Sequence, residues 1–318
     1  MDTDVDAATV TSAIDYMMSQ PAELGLTLAI AVIHRGRLVA EAYGPGTDEH
    51  STLISWSMAK SVTHALVGIL VGEGLLDVNA PAAVPEWAHD PRSAITLQHL
   101  LNMRDGLDFT EDYVDAGTSD VIEMLFGAGV HDHAAYAAAR GQRHAPGEVW
   151  NYSSGTTNIV SRIVGGIVGG GREGMEAFMH DRLFGPLGMS SASPKFDDAG
   201  TFVGSSYLYA TARDFARFGQ LYLRDGVWDG ARILPEGWVD HARTWTATDP
   251  EDGLGYGAHW WLWADQPGSL ACHGYEGQYT VVCPEKDLVV VRLGKTPAEL
   301  GDAKLQQVRR IVDAFPGR

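Results

Sequence analysis

Ser57-Met58-Ala59-Lys60 stands where a strand gives way to a long apolar helical stretch, Ser61 to Leu76. A serine hydroxyl is a weak nucleophile at neutral pH, so a base must lie within hydrogen-bond reach of it. Serine and lysine three residues apart at the start of a helix meet that need, because side chains at i and i+3 share one face. The lysine serves as a base only when partly neutral, which requires burial or a nearby positive field. The helix N-terminus at Ser57 adds backbone N–H donors and the positive end of a dipole toward a developing oxyanion. Four-residue patterns with two fixed positions also arise by chance in most chains of this length, so the surrounding sequence has to decide.

Working outward, helical patterns cover Ser57 to Leu76, Thr96 to Met103, Thr157 to Val168 and Thr211 to Leu223, joined by loops rich in Gly, Asp and Pro. The two ends of the chain read differently. Leu26 to His34 is a buried-strand run, followed by a turn at Arg35-Gly36-Arg37 and a second run, Leu38 to Tyr43, a hairpin signature. Near the other end, Gln278 to Cys283 and Leu288 to Leu293 flank the turn sequence Pro284-Glu285-Lys286-Asp287. Apolar residues at helical spacing predict a short helix over Thr11 to Met18 and another over Lys304 to Phe315. The expected fold class is therefore α/β (α+β). Residues 1–56 and 205–318 build one mixed, mainly antiparallel sheet flanked by helices. Residues 57–204 form a mostly helical insertion, with the active site at the interface.

Composition sets the outer limits. The 318 residues, 45% hydrophobic, suffice for one large domain or two intimately packed ones. The net charge of −18 would repel nucleic acid and anionic membranes, so neither is expected as a partner. The opening Met1-Asp2-Thr3-Asp4-Val5-Asp6 has no basic or apolar region of a signal peptide. The longest apolar stretch, Ala65 to Leu76, is interrupted by Gly68, Gly72, Glu73 and Gly74 and falls short of the ~20 residues that span a bilayer. Cys272 and Cys283 are the only cysteines, which suits free thiols in a reducing cytoplasm.

Two further segments carry possible chemistry. Trp150-Asn151-Tyr152-Ser153-Ser154-Gly155 places a tyrosine before a helix, where its phenol could relay a proton near Lys60; alone, it reads better as a turn with a half-buried aromatic. Cys272-His273-Gly274-Tyr275-Glu276-Gly277-Gln278 is a strand edge whose glycines let a backbone N–H approach a substrate carbonyl, or simply make a bulge. Other patterns fail. His131-Asp132-His133 lacks the Asp at position 135 that a zinc site of this kind needs, so no metal is expected. Gly169 to Gly174 spells G-x-G-x-x-G, but after a helical pattern, not a strand. No G-x-S-x-G is present.

In order along the chain, these segments resemble the penicillin-recognising serine hydrolase superfamily, of the class C β-lactamase and esterase type and nearest its 6-aminohexanoate-dimer hydrolase branch. The likeness extends to Leu97-Gln98-His99-Leu100-Leu101-Asn102-Met103-Arg104-Asp105-Gly106-Leu107, to Tyr209-Ala210-Thr211-Ala212-Arg213-Asp214-Phe215-Ala216-Arg217-Phe218-Gly219 and to Trp228-Asp229-Gly230-Ala231-Arg232-Ile233-Leu234-Pro235. It implies the β-lactamase/penicillin-binding-protein-like fold and no metal or organic cofactor. Ser57 is then the acylated nucleophile and Lys60 its general-base partner. Tyr152 is the proton shuttle of the Y-x-N element, with Ser154 in place of its asparagine. Which of Lys60 and Tyr152 takes the serine proton is left open. The backbone N–H groups of Ser57 and Tyr275 would form the oxyanion hole, and Tyr113, Ser154, His273 and Gly274 would meet substrate.

Cys272-His273-Gly274 sits where relatives carry Lys-Thr-Gly or His-x-Gly. The missing lysine would have faced the carboxylate of a β-lactam or peptide terminus. The resemblance therefore implies a hydrolase of small linear amides or esters first. β-Lactamase or D-peptidase-like activity, or a non-catalytic penicillin-binding sensor, stands second. Trp260, Trp261 and Trp263 could equally line an apolar pocket or fill the core.

Overall fold

The computed structural model describes residues 5–113 and 119–317. Its main sheet has eight strands: β1 (Leu26–His34), β2 (Arg37–Tyr43), β3 (Ala247–Thr248), β4 (Gly255–Tyr256), β5 (Trp261–Leu262), β6 (Leu270–Gly274), β7 (Gln278–Cys283) and β8 (Leu288–Lys295). They lie in the order β2-β1-β8-β7-β6-β5-β4-β3, antiparallel at every pairing. The two ends of the chain thus meet inside the sheet, one strand in from its β2 edge, where Ile30 faces Arg292 and Val32 faces Val290.

Strands β1 and β8 read as largely apolar runs because both their faces are covered. Ala29, Ala31, Val289, Val291 and Leu293 point into one core, and Ile30, Val32, Leu288 and Val290 into the other. Helices α1 (Ala7–Met18) and α5 (Gly301–Asp313) close the second core, contributing Val10, Ala13, Val308 and Ile311. On the opposite face lie α2 (Met58–Gly72) and α4 (Ala212–Leu223). α2 packs in turn on α3 (Ser154–Val168), so it runs between the sheet and the helical part of the chain.

Helix α2 is shorter than the apolar pattern suggests. It ends at Gly72 because Gly74 adopts φ +71°, with Gly74 N–H donating to Val71 O (3.0 Å) and Leu75 N–H to Leu70 O (2.9 Å). That pair of bonds is the Schellman stop, and Leu75 and Leu76 leave the helix there. The expected helix over Thr96 to Met103 likewise contracts to Leu97–Leu101, capped by the Thr96 hydroxyl and stopped before Met103 at φ +55°. Cys272 and Cys283 are both free and buried, one in each core. No helix among the described residues is long and apolar enough to cross a membrane.

Candidate active site

Ser57 occupies the N-cap position of α2, where a serine hydroxyl ordinarily accepts from an N–H of the first turn. Here it makes no such cap. Its Oγ lies 2.9 Å from Lys60 Nζ, one turn along the helix. Lys60 is fully enclosed, and Nζ makes two more contacts, with Ser154 Oγ at 2.9 Å and Ser205 O at 3.1 Å. Burial lowers its pKa to about 8, partly opposed by the Glu111 carboxylate, which favours the ammonium.

The segment before α2 is held on two sides. Leu53–Ile54 pairs with Leu208–Ala210; Ser55 Oγ donates to Ser206 O (3.2 Å) and accepts from Leu208 N (3.2 Å), and Ser55 N donates to Leu208 O (2.8 Å). Ser205 O, the third contact of Lys60, sits in that same stretch.

Tyr152 enters from the loop before α3. Its ring lies 4.8 Å from Lys60 Nζ, which brings its phenol beside Ser57. Burial, joined by the Glu111 charge, pushes its pKa well above the usual phenol value, so it stands as a neutral donor. Its ring packs among Trp150, Tyr256 and Trp261.

Glu111 is the residue that sequence reasoning passed over. It accepts from Ser154 N (2.8 Å) and Ser154 Oγ (2.5 Å) and from the Tyr113 hydroxyl (2.6 Å). A single glutamate in a polar loop carries no periodicity, and nothing in its local sequence marks it out. The Tyr113 ring stacks on Tyr275 at 4.8 Å. Glu111, Tyr113, Tyr152 and Trp261 then line one wall of a cleft of about 610 Å³.

The remaining expected residues divide. Gly274 approaches Ser55 so closely that a Cβ would stand 2.4 Å from the Ser55 carbonyl oxygen, which brings the strand edge against the turn leading into Ser57. Ser154, expected to touch substrate, is instead fully buried, with its hydroxyl committed to Lys60 and Glu111. His273, expected to do the same, stands behind Trp261. Its ring stacks on that indole at 5.5 Å, meets Tyr279 edge-on and accepts from Trp263 Nε1 at 3.2 Å. Burial, with Lys304 and Arg309 nearby, drives its pKa to about 3, so it carries no charge at neutral pH. Of the three tryptophans, only Trp261 reaches the cleft; Trp260 packs on Phe218 and Tyr222, and Trp263 belongs to the second core. Cys272 faces Ser61 from the buried side of the sheet, and burial pushes its thiol up to about 12. His131 pairs with Asp198 and His133 with Asp197.

A serine held by a buried lysine, beside a tyrosine, at the edge of an antiparallel sheet covered by helices, defines a serine hydrolase. The profile of the beta-lactamase family matches residues 17–313, and the chain belongs to that family. A 6-aminohexanoate-dimer hydrolase from Paenarthrobacter ureafaciens is 26% identical over 310 residues, covering 88% of this chain and 75% of its own. Among solved structures, the octameric penicillin-binding protein homologue from Pyrococcus abyssi superposes with a TM-score of 0.72 at 19% identity, over 98% of this chain and 79% of that one. A D-stereospecific amidohydrolase from Streptomyces sp. gives 0.69 at 17% identity, over 98% of each chain.

Proposed function

We propose that the chain hydrolyses small linear amides or esters through an acyl-enzyme on Ser57, with Lys60 as the base. The observation that carries this reading is the set of partners around Lys60 Nζ. Ser205 O can only accept, and Ser154 has its own hydrogen committed to Glu111 Oε1. The two hydrogens of a neutral amine are thereby taken, and its lone pair is turned to Ser57 Oγ at 2.9 Å. The serine proton passes to Nζ as Oγ bonds to the substrate carbonyl carbon. The N–H groups of Ser57 and Tyr275 receive the oxyanion. On collapse the carbonyl–heteroatom bond breaks. The proton returns from Lys60 through Tyr152 to the leaving nitrogen or oxygen. Water then attacks the acyl-enzyme, and the same groups release the acid. Tyr152 suits the donor role because its phenol stays protonated.

The cleft supports a linear substrate over a β-lactam. It carries Asp108, Glu111, Asp249, Glu251 and Asp252, and Arg143 on the same lining pairs with Asp108 at 3.3 Å. At position 272, where the related motif has its lysine, the neutral thiol offers a carboxylate no partner. Intact-mass spectrometry with a fluorophosphonate and with a penicillin tests the reading. The phosphonate should add to Ser57 rapidly, with little penicillin adduct or turnover. Ser57→Ala should keep its fold and lose turnover by a factor on the order of a million. Parental ester hydrolysis by that variant would sink the assignment.

A further inference from the structure

The residue before Ser57 and the residue after Tyr275 share an uncommon backbone conformation. Trp56 has φ +43° and Glu276 φ +58°, in the left-handed region that side chains with a Cβ rarely occupy. They are 220 residues apart in sequence, yet Trp56 Nε1 donates to Glu276 Oε2 at 3.2 Å, and the Trp56 ring meets Tyr275 edge-on at 5.7 Å. Strain of this kind persists only where the surroundings over-determine it, and here they do. The Trp56 carbonyl accepts from Ala59 N (3.0 Å) and Ser55 Oγ (2.9 Å). The Glu276 carbonyl accepts from Thr296 N (2.9 Å) and from Arg292 Nη1 (3.2 Å), a guanidinium buried beneath the turn that also reaches Gly277 O at 2.8 Å. Gln278 Nε2 holds Tyr275 O at 3.0 Å. Each turn is therefore fixed from behind by its own neighbours, and the indole–carboxylate bond is the side-chain hydrogen bond that ties one to the other.

We propose that Trp56 and Glu276 are positioning residues, whose hydrogen bond clamps the turns bearing the Ser57 and Tyr275 N–H groups at the spacing an acyl oxyanion requires. The clamp rests on the reading of Ser57 as nucleophile and adds to it the device that holds the oxyanion donors together. Neither side chain need touch substrate, so the effect should appear in transition-state stabilisation rather than in substrate binding.

The test compares Trp56→Phe, Glu276→Ala, Glu276→Gln and Glu276→Gly on an amide substrate, together with inhibition by an alkylboronic acid, whose tetrahedral adduct places an oxygen between the two N–H groups. Trp56→Phe keeps the ring and loses the donor; with Glu276→Ala it should lower kcat about 10- to 100-fold while KM holds within about twofold. Boronate affinity should fall by the same factor as kcat. Glu276→Gln retains an acceptor and should stay within about threefold of the parent. Glu276→Gly relaxes the left-handed backbone, so its melting temperature should match or exceed the parent's while kcat falls as in Glu276→Ala. Parental kcat in Trp56→Phe or Glu276→Gly, or a loss of kcat without loss of boronate affinity, would overturn the clamp. Turnover surviving in Ser57→Ala would remove the nucleophile itself and the clamp with it. An inert Ser57→Ala beside unimpaired clamp variants removes the clamp alone.

Discussion

Ser154 gives its hydroxyl hydrogen to Glu111 Oε1 across 2.5 Å, and that bond sets the direction of the proton network around Lys60. With that hydrogen committed, Ser154 Oγ accepts from Nζ and cannot donate to it. Glu111 therefore acts on Lys60 twice: its charge favours the ammonium, and its hold on Ser154 turns the amine lone pair toward Ser57. Those effects separate experimentally.

The first concerns pH. Lys60 must be neutral to take the serine proton, and burial sets its pKa at about 8. kcat/KM should rise about tenfold per pH unit up to that value and level off above it. Glu111→Gln removes a charge that favours the ammonium, so the amine loses its proton more easily and the rise should move to lower pH. A pH–rate profile of both enzymes checks this; a shift to higher pH in the variant would contradict it.

The second concerns orientation. Ser154→Ala leaves Nζ with an unanchored hydrogen and leaves Glu111 with the Tyr113 hydroxyl as its remaining hydroxyl donor. Its kcat should fall by roughly 10- to 100-fold with KM little changed, because the loss bears on proton transfer rather than on substrate contact. A raised KM at parental kcat would return Ser154 to the substrate-binding role that the Y-x-N comparison implies.

Tyr152→Phe separates leaving groups. An amide nitrogen must be protonated as it departs, whereas p-nitrophenolate leaves unaided. Amide turnover should fall by about 10²- to 10⁴-fold, with a much smaller loss on the p-nitrophenyl ester. Equal losses on both substrates would place Tyr152 at the serine proton instead of the leaving group.

The strand runs at the two ends of the chain and the serine–lysine pair were legible because each follows a local rule. β1 is apolar at every position from Leu28 to Ile33, and an i, i+3 pair at a helix start shares one face. Glu111 was not legible, since its importance comes from Ser154, 43 residues away, and from a fold that stacks Tyr113 on Tyr275. Trp56 and Glu276 were hidden for the same reason, as a left-handed φ at a non-glycine residue leaves no trace in composition. His273 misled because strand alternation turns its side chain toward Tyr279 and Trp263, while Cys272 beside it faces α2. Only the register of β6 decides which of the two faces Ser61.

Acid should unfold the protein through its buried histidines. Tyr222, His64, His241 and Gln98 form a hydrogen-bonded chain, with contacts of 2.8, 3.1 and 2.8 Å, in which both rings are neutral. Burial holds the His64 pKa well below its ordinary value, His241 at about 4 and His259 at about 3. Because folded values lie below the unfolded value near 6.5, the unfolded chain binds more protons below that pH. Stability should be fully present above about pH 6.5 and decline toward pH 4, each histidine contributing up to about 1.4 kcal/mol per pH unit. Urea midpoints across this range check it. His241→Gln should flatten the slope by about one histidine's share; an unchanged slope would remove His241 from the account.

Gly274 offers the sharpest geometric prediction. A Cβ there would meet the Ser55 carbonyl oxygen at 2.4 Å, and that oxygen belongs to backbone, so it cannot rotate away. Ser55 also accepts the Met58 N–H at 3.2 Å, so displacing it disturbs the first turn of α2. Gly274→Ala should push the strand edge away from that turn. The expected loss in kcat is about 100-fold, from a misplacement on the order of 1 Å, with about 1–3 kcal/mol of destabilisation from overpacking. Gly165→Ala is the control: it lies within α3 with no atom near its Cβ position. It should leave turnover unchanged and add about 0.5–1 kcal/mol of stability. Equal kinetics in the two variants would show that the approach of Gly274 to Ser55 does not set the donor spacing.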